Sequence, residues 1–221
     1  GGMHPPRIVL FDLDGTLIDS IDLIVDSYLH VFTTHRLPPL TRAQIVEGIG
    51  TPLWTVFGEF TSDRATIDAW IATYREYNLA HHDTRVVAFP GVVDMVRAIA
   101  SAGRRLGLVT SKNHAGALRG LELIGLRSAF EVVVGADDVT HPKPHPEPVL
   151  RALELLGGVP GEAVYIGDSH HDLACGNAAG AATIGVTWGP LPRERLLAER
   201  PAAVCETPAE VLRVVGVSGS A

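Results

Sequence analysis

Short apolar runs alternate with helical patterns through most of this chain, and that alternation restricts the fold more than any other feature. The runs fall at 8–11, 105–110, 131–134, 163–166 and 182–186. Helix-period patterns fall between or after them, at 92–101, 115–124, 146–156 and 172–179. Runs this short and this uniformly apolar suit strands covered on both faces rather than half-exposed ones. Strand–helix alternation predicts the α/β class, as a Rossmann-like doubly wound parallel sheet with helices on both faces.

Residues 20–84 break the alternation. The pattern from 21 to 35 is helical, Thr41 is a plausible N-cap for a second helix, and Ser62 or Asp63 can open a third running toward Asn78. No strand pattern occurs there. The expected division is an α/β core made of 1–19 and 85–221, interrupted by an α-helical insert at 20–84. Phe89-Pro90-Gly91 marks the return to the core, Pro38-Pro39 is a turn within the insert, and the tail at 216–221 is expected to be loosely held.

Composition narrows the function classes. A length of 221 residues suits one sizeable domain or a core with a modest insertion, and 46% apolar against 19% charged residues excludes a disordered chain. A net charge of -7 argues against a nucleic-acid binder, which carries a basic stripe. Cys175 and Cys205 have neither CxxC nor metal-ligand spacing and are expected to be buried free thiols. No apolar run approaches the ~20 residues of a membrane helix, and Asp12 interrupts the only early apolar run where a secretion signal would need to continue. A cytoplasmic protein with no membrane partner is expected.

Chemistry concentrates where the apolar runs end. Asp12 and Asp14, in Asp12-Leu-Asp-Gly-Thr16, are two apart in an extended stretch and point the same way. Paired carboxylates repel unless a cation or proton separates them. They suit a hard, oxygen-ligated cation such as Mg²⁺, and a division of labour between nucleophile and general acid and base. Thr110 and Ser111 place hydroxyls before a helix N-terminus, a setting for phosphate oxygens. Lys143 lies between Pro142 and Pro144, a point charge on a stiffened loop. Asp168 ends another run, and Asp172 lies one helical turn on. Adjacent His170 and His171 do not share a helix face and lack a third zinc ligand. All of these positions follow the carboxyl ends of expected strands, where open α/β sheets bind ligands.

Together these segments resemble the four motifs of the haloacid dehalogenase superfamily, on its phosphatase side: the first at 12–16, the second at Thr110, the third at Lys143 and the fourth from Gly167 to Asp172. The likeness spans residues 7–215, and the helical insert resembles that superfamily's type-1 cap. The resemblance implies a Mg²⁺-dependent phosphohydrolase working through an aspartyl-phosphate. Asp12 would be the nucleophile and Asp14 the general acid and base. Asp12, the main-chain carbonyl of Asp14 and Asp168 would hold the metal. Thr110, Ser111 and Lys143 would bind phosphate, and Asp172 would support the metal shell or Lys143. Dehalogenating members lack an acid at the position of Asp14; its presence favours phosphoryl transfer, and mutase members share it.

The resemblance implies a small phosphorylated substrate. The general pattern is similar to phosphoglycolate phosphatases, with pyrophosphate as the alternative. The stretches at 74–78, 81–83, 141–148 and 167–172 look closer to the pyrophosphatases of the superfamily. Specificity is expected from the insert, with Gly50, Thr51, Arg75, His81 and His82 as candidates. A phosphoglucomutase-type exchange and a non-catalytic regulatory protein are the competing possibilities.

Overall fold

The computed structural model describes residues 3–219 of the chain. The order is β1 (Ile8–Phe11), β2 (Ile18–Asp19), α1 (Ile21–Thr34), α2 (Arg42–Gly48), α3 (Leu53–Phe57), α4 (Arg64–Arg85), β3 (Val87–Ala88), α5 (Val92–Ser101), β4 (Arg105–Val109), α6 (His114–Leu123), β5 (Val132–Val134), α7 (Glu147–Leu156), β6 (Ala163–Gly167), α8 (His170–Ala178), β7 (Ala182–Val186), α9 (Arg193–Leu197), β8 (Ala203–Cys205) and α10 (Pro208–Val214). Six strands form one parallel sheet in the order β5-β4-β1-β6-β7-β8. The order reverses at β1, which lies between β4 and β6.

The uniformly apolar strands have the expected cause. Val9 and Phe11 of β1 join one buried cluster with Leu106, Leu108, Val164 and Ile166. Ile8 and Leu10 turn the other way and pack with Val109, Tyr165, Val149 and Leu153. Both faces of β1 are therefore covered, and its four residues are at most 1% exposed. Burial on that scale is worth roughly 1.5–3 kcal/mol per side chain.

The insert is helical, as expected, and builds a separate apolar cluster from α1–α4. Tyr28, Phe32, Phe57, Trp70 and Tyr74 form its aromatic centre. Thr41 caps α2 with a reciprocal Gln44 contact, and Asp63 caps α4 by accepting from the Thr66 N–H.

Several elements differ from the sequence expectation. Helix α4 continues past Asn78 to Arg85, because 79–85 contains no helix breaker. The short α3, α9 and α10 were not anticipated. Nor were β8 and the antiparallel β2–β3 pair at the base of the insert. The tail is held further than expected: Val217 is 7% exposed, and its N–H donates to the Leu212 carbonyl. Ser220 and Ala221 lie outside the described residues. Both cysteines are free and buried, and among the described residues no helix is long and apolar enough to cross a membrane.

Candidate active site

Backbone pairing brings the site together. Asp12 follows β1, with its N–H still donating to the Ile166 carbonyl of β6. Asp168 follows β6, and Thr110 follows β4 with its N–H on Val134. Parallel register places these three strand ends side by side. The chain then turns at Gly15, whose φ of +84° belongs to the left-handed region. A Cβ at Gly15 would collide with the Asp168 carboxylate, so the bare backbone there lets the first loop pack directly on the second acid.

Lys143 is the hub of the buried charge. Its Nζ donates to Asp172 Oδ1 at 2.7 Å, to the Val109 carbonyl at 3.1 Å and to Asp12 Oδ1 at 3.3 Å. Burial alone would lower its pKa; the Asp12 and Asp172 carboxylates outweigh that and raise it. Asp172 is 0% exposed and is oriented by a capping box at the start of α8, its Oδ2 accepting from the Ser169 N–H at 3.2 Å. The Tyr165 hydroxyl lies 2.6 Å from the Val109 carbonyl and 3.3 Å from Asp172 Oδ1. Asp172 is thus fastened to the protein on both oxygens.

Asp168 Oδ1 accepts from Thr16 Oγ1 at 2.8 Å, and the Trp188 indole N–H donates to the Thr16 carbonyl, also at 2.8 Å. Asp14 Oδ1 accepts from Ser20 Oγ at 2.6 Å and from Lys112 Nζ at 3.2 Å. Ser20 occupies the N-cap position of α1 yet makes no cap bond with its side chain; it is engaged by Asp14 instead.

The acids crowd. Carboxylate oxygens of Asp12, Asp168 and Asp172 all lie within 4.8 Å of one another. Burial, then Asp172, pushes the Asp168 pKa up to about 8, against the Thr16 hydrogen bond. Burial, then Asp172, Asp168 and Asp14, holds Asp12 well above the usual carboxylate range, with Lys143 opposing. One lysine does not neutralise three buried carboxylates. An all-oxygen cluster with surplus negative charge has the donor chemistry that a hard divalent cation requires, so the residues present fit such an ion.

A cavity of about 340 Å³ opens above this edge, between the sheet and the helical insert. Asp12, Asp14, Thr110, Ser111 and Lys112 line its sheet side. Gly50, Thr51, Arg75 and His82 line its helical side, while His81 is absent from the lining and packs its ring 4.5 Å from that of Tyr77. Ser111 donates its only hydroxyl hydrogen to the Gly50 carbonyl at 2.7 Å, so in this arrangement it ties the insert to the core instead of donating to a ligand. Gly50 makes the close approach that its sequence context suggests: its φ is +106°, and a Cβ there would come 3.0 Å from Ser169 Oγ. Further ties cross the two layers, from Arg195 to Glu47 at 2.8 Å and from Arg119 to Asp83 at 3.0 and 3.1 Å.

Ser20, Lys112, Thr16 and Tyr165 belong to the site but were not singled out from sequence. Thr16, Lys112 and Tyr165 stand inside segments that were, so position relative to the acids was the available signal. Nothing in the spacing of Ser20 marks it.

Sheet and site together place the chain among the α/β phosphohydrolases. A family model described as haloacid dehalogenase-like hydrolase matches residues 9–186. A pyrophosphatase PpaX of Anoxybacillus flavithermus is 40% identical over 210 residues, covering 95% of this chain and 97% of that one. The corresponding protein of Bacillus pumilus is 40% identical over 208 residues, with 94% and 95% covered. Among solved structures, a haloacid dehalogenase-like family hydrolase of Streptococcus pneumoniae superposes with a TM-score of 0.80 at 26% identity, covering 93% of this chain and 96% of that one. A predicted phosphoglycolate phosphatase of Haemophilus somnus superposes with a TM-score of 0.83 at 22% identity, covering 96% and 99%, a likeness of fold alone. The chain belongs to the haloacid dehalogenase-like hydrolase family and is a phosphohydrolase within it.

Proposed function

We propose that this enzyme is a Mg²⁺-dependent pyrophosphatase in which Asp12 accepts the phosphoryl group and then gives it up to water. The carrying observation is that Asp12 and Asp14 both face one cavity with Thr110, while Lys143 lies 3.3 Å behind Asp12. The similarity to proteins named pyrophosphatase over nearly the whole chain supports pyrophosphate ahead of 2-phosphoglycolate.

Asp12 Oδ attacks phosphorus as the bond to the bridging oxygen breaks. Asp14, held by Ser20, gives its proton to that leaving oxygen. Asp14 then takes a proton from water as water attacks phosphorus and the Asp12–phosphorus bond breaks, so both residues return to their starting states. Thr110 offers a hydroxyl to the phosphoryl oxygens, and Lys143 offsets charge behind the nucleophile. Asp12, the Asp14 carbonyl and Asp168 would hold Mg²⁺, with Asp172 in support because its oxygens are engaged by Lys143 and Ser169. When bound, the ion supplies charge neutralisation for the phosphoryl oxygens. Residues 20–84 serve as the cap domain on the core of 1–19 and 85–221; the separate apolar cluster of α1–α4 supports that division. Initial rates on pyrophosphate and 2-phosphoglycolate, with Mg²⁺ and with EDTA, decide the substrate. Metal-dependent turnover with pyrophosphate preferred at least about tenfold in kcat/KM is expected. A preference for 2-phosphoglycolate overturns the assignment.

The metal assignment predicts a pH signature. An Asp raised to about 8 when folded, against about 3.9 unfolded, makes the native state bind more protons across that interval. Metal-free stability contributed by Asp168 is therefore highest below pH 4 and is lost as pH rises toward 8. Mg²⁺ relieves that penalty, so it should raise the melting temperature more at pH 8 than at pH 5.5, by roughly 5 °C or more. Asp168→Asn should reduce the difference, leaving the part that Asp12 contributes. An equal Mg²⁺ shift at both pH values counts against ligation by Asp168.

A further inference from the structure

Helix α4 presents one stripe to the cavity, made of Tyr74, Arg75, Asn78, Leu79 and His82. The spacing i, i+1, i+4, i+5, i+8 is that of a single helix face. His81 does not line the cavity, but His82 does and is only 1% exposed. Its two ring nitrogens differ sharply. Nδ1 lies 2.9 Å from Asp83 Oδ1, and Arg119 of α6 grips both oxygens of Asp83. Nε2 is buried and has no hydrogen-bond partner among the described residues. Leaving a buried polar nitrogen unpaired is destabilising. The fold nonetheless fixes this ring, through a carboxylate and an arginine from the opposite layer, on the wall of the substrate cavity.

We infer that His82 is a specificity-determining residue: a shift of the cavity wall on substrate binding uncovers Nε2, closed off in this structure, which then binds the phosphoryl group of pyrophosphate that is not transferred to Asp12. Asp83 takes the Nδ1 hydrogen and orients the ring, and one proton lies between Nε2 and a phosphoryl oxygen, whichever of the two brings it. Arg75 and Arg119, on the same cavity, add positive charge around the leaving phosphate. Asp83 and Arg119 act as positioning residues. Because Asp83 is on the insert and Arg119 on the core, His82 is held in place when the two layers are seated on each other. A phosphate monoester with an uncharged leaving group has no oxygen of this kind to offer. This inference rests on Asp12 as the acceptor and pyrophosphate as the substrate.

The experiment compares wild type with His82→Gln on pyrophosphate and on p-nitrophenyl phosphate, with Mg²⁺ present, and measures pyrophosphate binding by calorimetry in an Asp12→Asn background. Loss of one charge-assisted hydrogen bond corresponds to a fall of about 10–100-fold in kcat/KM for pyrophosphate. That loss should exceed the loss on p-nitrophenyl phosphate by about tenfold or more. In the Asp12→Asn background, His82→Gln should weaken pyrophosphate by about tenfold or more while changing orthophosphate binding less. Equal losses on both substrates, or unchanged pyrophosphate kinetics and binding, overturn the inference and leave the pyrophosphatase assignment standing. Failure of the wild-type enzyme to hydrolyse pyrophosphate removes the substrate assignment itself, and the role of His82 with it.

Discussion

Asp12→Asn is expected to hydrolyse pyrophosphate at least about 10⁴-fold more slowly than wild type, and to melt at or above the wild-type temperature in metal-free buffer. The two halves have one cause. Asp12 is 4% exposed and shares its edge of the sheet with Asp168 and Asp172. Burial and those neighbours disfavour its charge, and the single lysine within reach is shared with Asp172. Asparagine keeps the shape and an oxygen for Lys143 to donate to, while removing a carboxylate that the metal-free fold holds unfavourably. It also removes the proposed nucleophile, and the neighbouring acid, Asp14, is engaged by Ser20 and Lys112. Turnover within tenfold of wild type would eliminate the aspartyl-phosphate route. A clear drop in melting temperature would show that the Asp12 carboxylate stabilises the empty site, and the account of its electrostatics would fail.

The core was legible because its strands are covered on both faces. Ile8–Phe11 has no polar residue, and covered parallel strands require that. Asp12 and Asp168 were legible because each follows a strand directly, and Asp14 and Asp172 because they stand two residues and one helical turn further on. Elements whose stability comes from distant partners were not. Ile18–Asp19 forms a strand only because Val87–Ala88 returns beside it across the whole insert, and Ala203–Cys205 only because Ile184–Val186 offers it an edge. The far end of α4 was missed for a related reason. Its apolar pattern fades after Tyr74 because its later turns face a cavity and a neighbouring layer instead of the aromatic cluster. Sequence marked His81 and His82 equally. Only the helical phase of α4 separates them, and that phase depends on where the helix seats against α1. Ser111 shows the complementary limit: its type and position suited a phosphate, but the Gly50 carbonyl from the insert already accepts its hydrogen.

Lys143→Met should do the opposite of Asp12→Asn. The lysine side chain is 0% exposed, and its ammonium answers two carboxylates, Asp12 and Asp172, while also donating to the Val109 carbonyl. Methionine fills similar volume but leaves those acids facing each other without a counter-charge. Breaking a buried ion pair from one side costs about 3–5 kcal/mol. For a chain of this length that corresponds to a fall of roughly 6–20 °C in melting temperature in metal-free buffer. If charge is the cause, removing the orphaned partner should recover part of the loss. Lys143→Met/Asp172→Asn is therefore expected to melt higher than Lys143→Met alone, and the cycle of two single variants and the double measures the coupling. Mg²⁺ should also narrow the gap between Lys143→Met and wild type, because the ion supplies positive charge to the same acids. Turnover should stay low in both variants even where stability returns, since neither restores an ammonium behind Asp12. A Lys143→Met protein melting within about 2 °C of wild type without metal, or a double variant no more stable than the single one, would mean that the acids at this edge do not depend on the lysine, and the charge balance drawn for the site would have to be abandoned.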